Sequence, residues 1–168
     1  MDTRLKQVLL KCQPDNQTDQ NAFLSQYDDR DKRFSGDLHC FALTEDELSV
    51  LNPIKYIQGD LIISSEKIEQ ISTFNHLQVL HNLQIMKMSS LQLITGFNSL
   101  ERLHSLNINN NPYLKGVYGF NRLFHKRPVM QGSIKITHNK LLKSVAFLSG
   151  VERVKSSLYL HYNQLNNL

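Results

Sequence analysis

Tryptophan is absent from the 168 residues, and cysteine occurs only twice, proline four times and glycine seven times. So little glycine and proline excludes collagen-like or low-complexity linker composition. Two cysteines, Cys12 and Cys40, are too few for a disulfide-stapled scaffold and are read as free thiols or small buried side chains. No apolar run approaches the ~20 residues a bilayer-spanning helix needs. The opening MDTRLKQVLLKCQPDNQ lacks the marks of a signal peptide: Asp2 precedes the basic residues, the apolar stretch is short and no small-residue cleavage site follows. The expectation is a cytoplasmic protein, or a processed or secreted fragment whose targeting segment was removed. A single Asn16-Gln17-Thr18 sequon is too common by chance to argue for secretion. Acidic residues are scarce in one region, since residues 101–168 carry two of them against ten basic ones. That imbalance favours an anionic partner there, while a solvated charged surface is its ordinary structural meaning.

What is present is a globular composition, 40% hydrophobic and 20% charged, arranged with a period. The alternating pairs Leu38/Cys40, Leu61/Ile63, Leu83/Ile85, Leu106/Ile108, Ile134/Ile136 and Leu158/Leu160 recur at offsets of 23, 22, 23, 28 and 24 residues. Later apolar positions keep step. Leu91, Ile94, Phe97, Leu100 and Leu103 follow Leu83 at the same distances as Leu142, Val145, Leu148, Val151 and Val154 follow Ile134. A period in the low twenties marks a solenoid with one short strand per turn. No single turn can bury its own apolar face, so stacked neighbours must share one core. Phe74, Phe97 and Phe120 keep this register and are expected as an internal spine rather than an aromatic ligand box. Asn111, Asn139 and Asn163 each stand five residues past a strand's first apolar residue, where a column of amides can satisfy backbone groups leaving the sheet.

The segments GDLIIS, LITGFNSLERLHSLNINNNPYLKGVYGFNRL, GSIKITHN and LSGVERVKSSLYLHYNQL resemble the leucine-rich-repeat class known as receptor L-domains, found in growth-factor receptor ectodomains and bacterial surface proteins. The family phrase is a glycine-led strand, an Asn-rich turn and a GF-x-x-L segment. Gly96-Phe97-Asn98-Ser99-Leu100 and Gly119-Phe120-Asn121-Arg122-Leu123 match its last part. The resemblance covers residues 36–168 and implies a right-handed coil used for recognition, with no catalytic residues.

The N-terminal 1–35 read differently. Leu5, Val8, Leu9 and Cys12 have helical spacing, Phe23, Leu24 and Tyr27 suggest a weaker helix, and both are expected to cap the first turn. Thr44 and Glu47 form a capping-box pattern. The expected fold is therefore an α/β repeat: a helical cap over 1–35, then a right-handed leucine-rich-repeat-like solenoid of about six turns over 36–168.

Candidate sites follow from the positions between core residues. The outward columns of the strands yield an expected binding face of Phe41, Ile62, Gln84, Met86, Asn107, Asn109, Lys135, Thr137, Tyr159 and His161. Its first half is apolar and its second half polar and basic. The longest turn contains NRLFHKRP, whose Arg122, His125, Lys126 and Arg127 are candidate contacts for phosphate or sulfate groups. His81 and His104 should be vertical neighbours, but two ligands are too few for zinc. Asp37 and Asp60 are the acids of the outward columns, and a paired-carboxylate glycosidase is the weakest of the readings. His39 and Cys40 face opposite sides of a strand and so do not form a thiol–imidazole pair.

The function expected is non-catalytic recognition of a protein or glycan through the strand face, without cofactor or metal. The alternative is a polyanion, either nucleic acid or an acidic membrane surface, bound by the basic C-terminal half. Because the last turn ends before completing a coil and an uncovered strand edge templates pairing, either further repeats or a homodimer through residues 157–168 is expected.

Overall fold

The computed structural model describes residues 1–166. Asn167 and Leu168, the end of the segment expected to join two chains, lie outside the described residues.

The repeat winds into a β-solenoid of about six turns. Its main sheet is parallel throughout the solenoid, with Leu38 in register with Leu61, Leu61 with Leu83, Leu83 with Leu106, Leu106 with Ile134 and Ile134 with Leu158. Those are the first members of the six alternating pairs. The first five pairs bury their apolar side chains because successive residues of a strand face opposite ways, whereas Leu158 of the last pair is 53% exposed. Among them Leu61, Ile63, Leu83, Ile85, Ile134 and Ile136 are fully buried.

The far side of the coil differs from the α/β expectation. Among the described residues, helix is confined to Thr3–Lys11, Gln20–Leu24, Glu45–Ser49 and a 3-10 turn at Ala146–Leu148. In the second to fourth turns the chain returns through Gln70–Ile71, Leu93–Ile94 and Gly116–Val117, a second parallel sheet. The apolar residues of these segments recur every third position, a spacing that drifts out of phase with the 3.6 residues of a helical turn. The β-branched Ile71, Ile94 and Val117 also favour strand.

Between the sheets the phenylalanines stack. Phe74 and Phe97 lie 5.2 Å apart at 10°, and Phe97 and Phe120 lie 5.1 Å apart at 3°. The next ring is Phe147 at 5.4 Å, where periodicity had placed Leu148; the 3-10 turn shifts the register by one residue. Glycine precedes Phe97 and Phe120 for a steric reason. A Cβ on Gly96 would stand 2.1 Å from the Thr73 carbonyl oxygen, and one on Gly119 would stand 1.9 Å from that of Gly96.

Two asparagine ladders hold the corners. Asn111, Asn139 and Asn163 each accept from a backbone N–H of the turn before (Met88, Asn111 and Asn139). Each also donates its amide to the strand-end carbonyl of that earlier turn, Ile85, Ile108 or Ile136. In the second turn Ser65 substitutes, donating to the Leu43 carbonyl at 2.6 Å. The other ladder, Asn52, Asn75, Asn98 and Asn121, runs beside the phenylalanine spine. Its sequence signal is the asparagine directly after each of Phe74, Phe97 and Phe120.

The N-terminal segment is not purely helical: after its two helices, Arg33–Phe34 pairs in parallel with Tyr56–Ile57 and so joins the main sheet. The helix Thr3–Lys11 starts at Asp2, whose carboxylate accepts from the Arg4 and Leu5 N–H groups, and it buries Leu5, Val8 and Leu9. The Thr44/Glu47 capping box is formed, and Glu47 also takes a hydrogen bond from Lys11, so the cap is tied to the first turn. That ammonium, with the Thr44 N–H, holds the Glu47 carboxyl below its usual range. One expectation is overturned: Cys12 and Cys40 are a disulfide, with Cα atoms 4.1 Å apart across 28 residues of sequence. Both are fully buried, so Cys40 does belong to the core. The pairing arises because the helix docks its last turn on the first strand, where the His39 N–H also donates to the Cys12 carbonyl at 2.8 Å. Reducing this bond, or replacing both cysteines by serine, should lower stability by about 2–4 kcal/mol. A denaturation midpoint that is the same with and without reductant would contradict the bond.

Candidate functional site

The main sheet aligns its outward side chains as strictly as its inward ones. One column is formed by register partners: His39, Ile62, Gln84, Asn107, Lys135 and Tyr159. Two residues along lie Phe41, Ser64, Met86, Asn109, Thr137 and His161. Phe41, at 46% exposure, is the most open apolar group of the first half, and half-buried Ile62 and Met86 lie near it on the next two strands. At the other end Lys135, Tyr159 and His161 are exposed. The Tyr159 and His161 rings lie 6.1 Å apart, edge to face, and Tyr162 adds a third ring 4.7 Å from His161.

Two members of the expected face are not on the surface. Asn109 is 6% exposed and Thr137 is fully buried. The two are register partners on adjacent strands, and Asn109 is further held by hydrogen bonds with Asn107 and Asn110. The usable face thus consists of Phe41, Ile62, Gln84, Met86 and Asn107, then Lys135, Tyr159 and His161.

The outward acids have structural work. Asp37 accepts from the Asp60 backbone N–H at 2.7 Å, and Asp60 accepts from the Asn82 amide at 2.9 Å. His81 and His104 do stack, 4.8 Å apart at 13°. An imidazole's lone pair lies in the ring plane, so near-parallel rings cannot converge on one ion. Among the described residues no group of three His, Cys, Asp or Glu side chains could hold a metal.

The loop after Phe120 exposes Arg122, His125, Lys126 and Arg127 and buries Leu123 and Phe124. Its cations are not equivalent. Arg122 and Lys126 both lean toward Glu101, at 3.9 and 3.7 Å, whereas Arg127 lines a cleft.

That cleft has a topological cause, which periodicity alone does not expose. Ahead of each inward pair runs a second ladder, in which Ile57 pairs with Leu80 and Leu80 with Leu103. The ladder should continue to Met130. Instead, Val129–Met130 pairs only with Arg153–Val154, because the 28-residue turn intervenes. The sheet therefore splits beside Leu103 and closes again where the Gly132 N–H donates to the His104 carbonyl at 2.8 Å. The opening is a surface cleft of about 650 Å³. Leu80, Leu103, Phe124 and Val129 supply apolar walls, and His81, His104, Glu101, Arg102, Arg127 and Gln131 supply polar ones.

No family model, curated protein or solved structure matches the chain.

Proposed function

We propose that this protein is a non-catalytic recognition module of the leucine-rich-repeat, receptor L-domain-like kind, holding a protein or glycan on the outward face of its main sheet. One observation carries the reading: in-register parallel pairing keeps a graded face, apolar at Phe41, Ile62 and Met86 and basic and aromatic at Lys135, Tyr159 and His161, on a rigid backbone. Rigid presentation limits the entropy lost on binding, and exposed aromatic anchors contribute most of the affinity in such interfaces.

The test is the triple variant Phe41→Glu, Ile62→Lys and Met86→Lys. Each site is exposed or half-buried, so the stability change should be about 0.5 kcal/mol per site, with lysine stems covering the apolar surface they replace. The variant should keep the wild-type circular dichroism and melting temperature while losing partners captured from candidate proteins or a glycan array. Equal capture by both proteins would refute the face.

A polyanion bound by the C-terminal half is the second reading, favoured by exposed Lys115, Lys135, Lys140, Lys143, Arg153 and Lys155. It predicts affinity that falls steeply with salt. A flat salt response selects the first.

A further inference from the structure

The split in the sheet is an open cleft of ligand size, since small-molecule pockets are commonly about 300–1,000 Å³. It differs from the strand face in chemistry. Arg102 and Arg127 line it and, among the described residues, neither makes a salt bridge. The acid that shares the wall, Glu101, is already approached by Arg122 and Lys126. The cleft's uncompensated charge is therefore positive. Beside these cations the apolar wall of Leu103 and Phe124 offers no hydrogen bond, so it suits a flat or aliphatic body.

A further feature sets the shape. His104 stacks on His81 on one side, and on the other the following turn presents Gly132. A Cβ there would lie 2.9 Å from His104 Cδ2 and 2.7 Å from the His104 carbonyl oxygen. Glycine thus lets the turns approach while leaving no side chain over the imidazole edge. The chain edges at Arg102–Leu103 and Val129–Met130 are not paired with each other, so the gap is open along its length.

The geometry points to a binding site for a small amphipathic anion in this cleft: a flat apolar body against Leu103 and Phe124, with one sulfonate, sulfate, phosphate or carboxylate group held by Arg102 and Arg127. Arginine suits this role because its planar fork matches oxyanions bidentately. The histidine stack borders the apolar body and acts as the reporter of occupancy.

Naphthalene-2-sulfonate is the probe, with neutral naphthalene-2-sulfonamide and inorganic sulfate as its two halves. Titration of the full chain, followed by the imidazole NMR signals, should shift His81 and His104 and leave His39 and His161 in place. The sulfonamide should bind at least tenfold more weakly, as should inorganic sulfate. Arg127→Glu and Arg102→Glu should each weaken the sulfonate at least tenfold, and Arg127→Gln by less. Lys135→Glu on the strand face should leave the affinity unchanged. Both arginines are exposed, so unaltered melting curves should accompany these losses. The site is refuted if His81 and His104 do not move at millimolar probe. It is equally refuted if the sulfonamide binds as well as the sulfonate, or if charge reversal changes affinity by less than twofold. Failure here leaves the strand-face reading standing, because the triple variant of that face shares no residue with the cleft.

Discussion

Phe97→Ala should destabilise the protein by about 3–5 kcal/mol. The ring is fully buried and sits between Phe74 and Phe120 at 5.2 and 5.1 Å, near-parallel to both. Truncation removes its apolar transfer energy and opens a cavity in the middle of the spine. The cavity cannot collapse easily, because the stacked turns on both sides are held apart by their own backbone ladders. The residue also stands at a φ of 62°, a conformation with a cost for any side chain, which alanine would still bear. Phe147, half-buried and tilted at the end of the column, supplies the contrast and should cost less when truncated. Urea denaturation of both variants measures the difference. A Phe97→Ala midpoint equal to wild type would mean that the stack does not exist as described.

Asn139→Ala should cost a similar amount for a different reason. Asn139 is fully buried, and its carboxamide serves the turn before it with both ends. Oδ1 accepts from the Asn111 N–H at 3.2 Å and from the Asn111 amide at 3.1 Å, while Nδ2 donates to the Ile108 carbonyl at 3.0 Å. Alanine leaves all three of those partners without Asn139 and without room for bulk water. Each buried polar group so orphaned costs about 1–3 kcal/mol, and the sum is expected at about 3–5 kcal/mol. Asn121→Ala, at the exposed end of the second ladder, should cost under about 1 kcal/mol by the same reasoning. Hydrogen exchange offers a local check: the Asn111 amide should lose protection in Asn139→Ala. If it exchanges as slowly as in wild type, the ladder is not what closes that corner.

Both predictions concern features that a linear reading could reach, because they depend on period. A residue's place in a stacked coil is set by its distance from the previous equivalent residue. Thus Leu83, Phe97, Leu106, Phe120 and Ile134 could be assigned to the interior, and Asn111, Asn139 and Asn163 to one corner, from counting alone. The N-terminal helix was legible too, since Leu5, Val8, Leu9 and Cys12 have helical spacing. Composition and local chemistry carry these assignments.

Tertiary structure decided whatever depends on which segments meet. Cys12 and Cys40 carry no spacing signal; they pair because the cap docks on the first strand, a contact between elements 28 residues apart. Asn109 and Thr137 have outward parity, yet both are buried, which alternation does not encode. The return segments became a second sheet rather than helix because parallel turns could pair there. The cleft is the clearest case. The sequence shows one turn of 28 residues among shorter ones and a cluster of cations within it. Only the fold shows that the extra length interrupts one ladder and not the other, so that Arg102 and Arg127, 25 positions apart, line the same opening beside His104. Periodicity determines what repeats, and an insertion acts through the pairing it prevents, which is a property of two turns together.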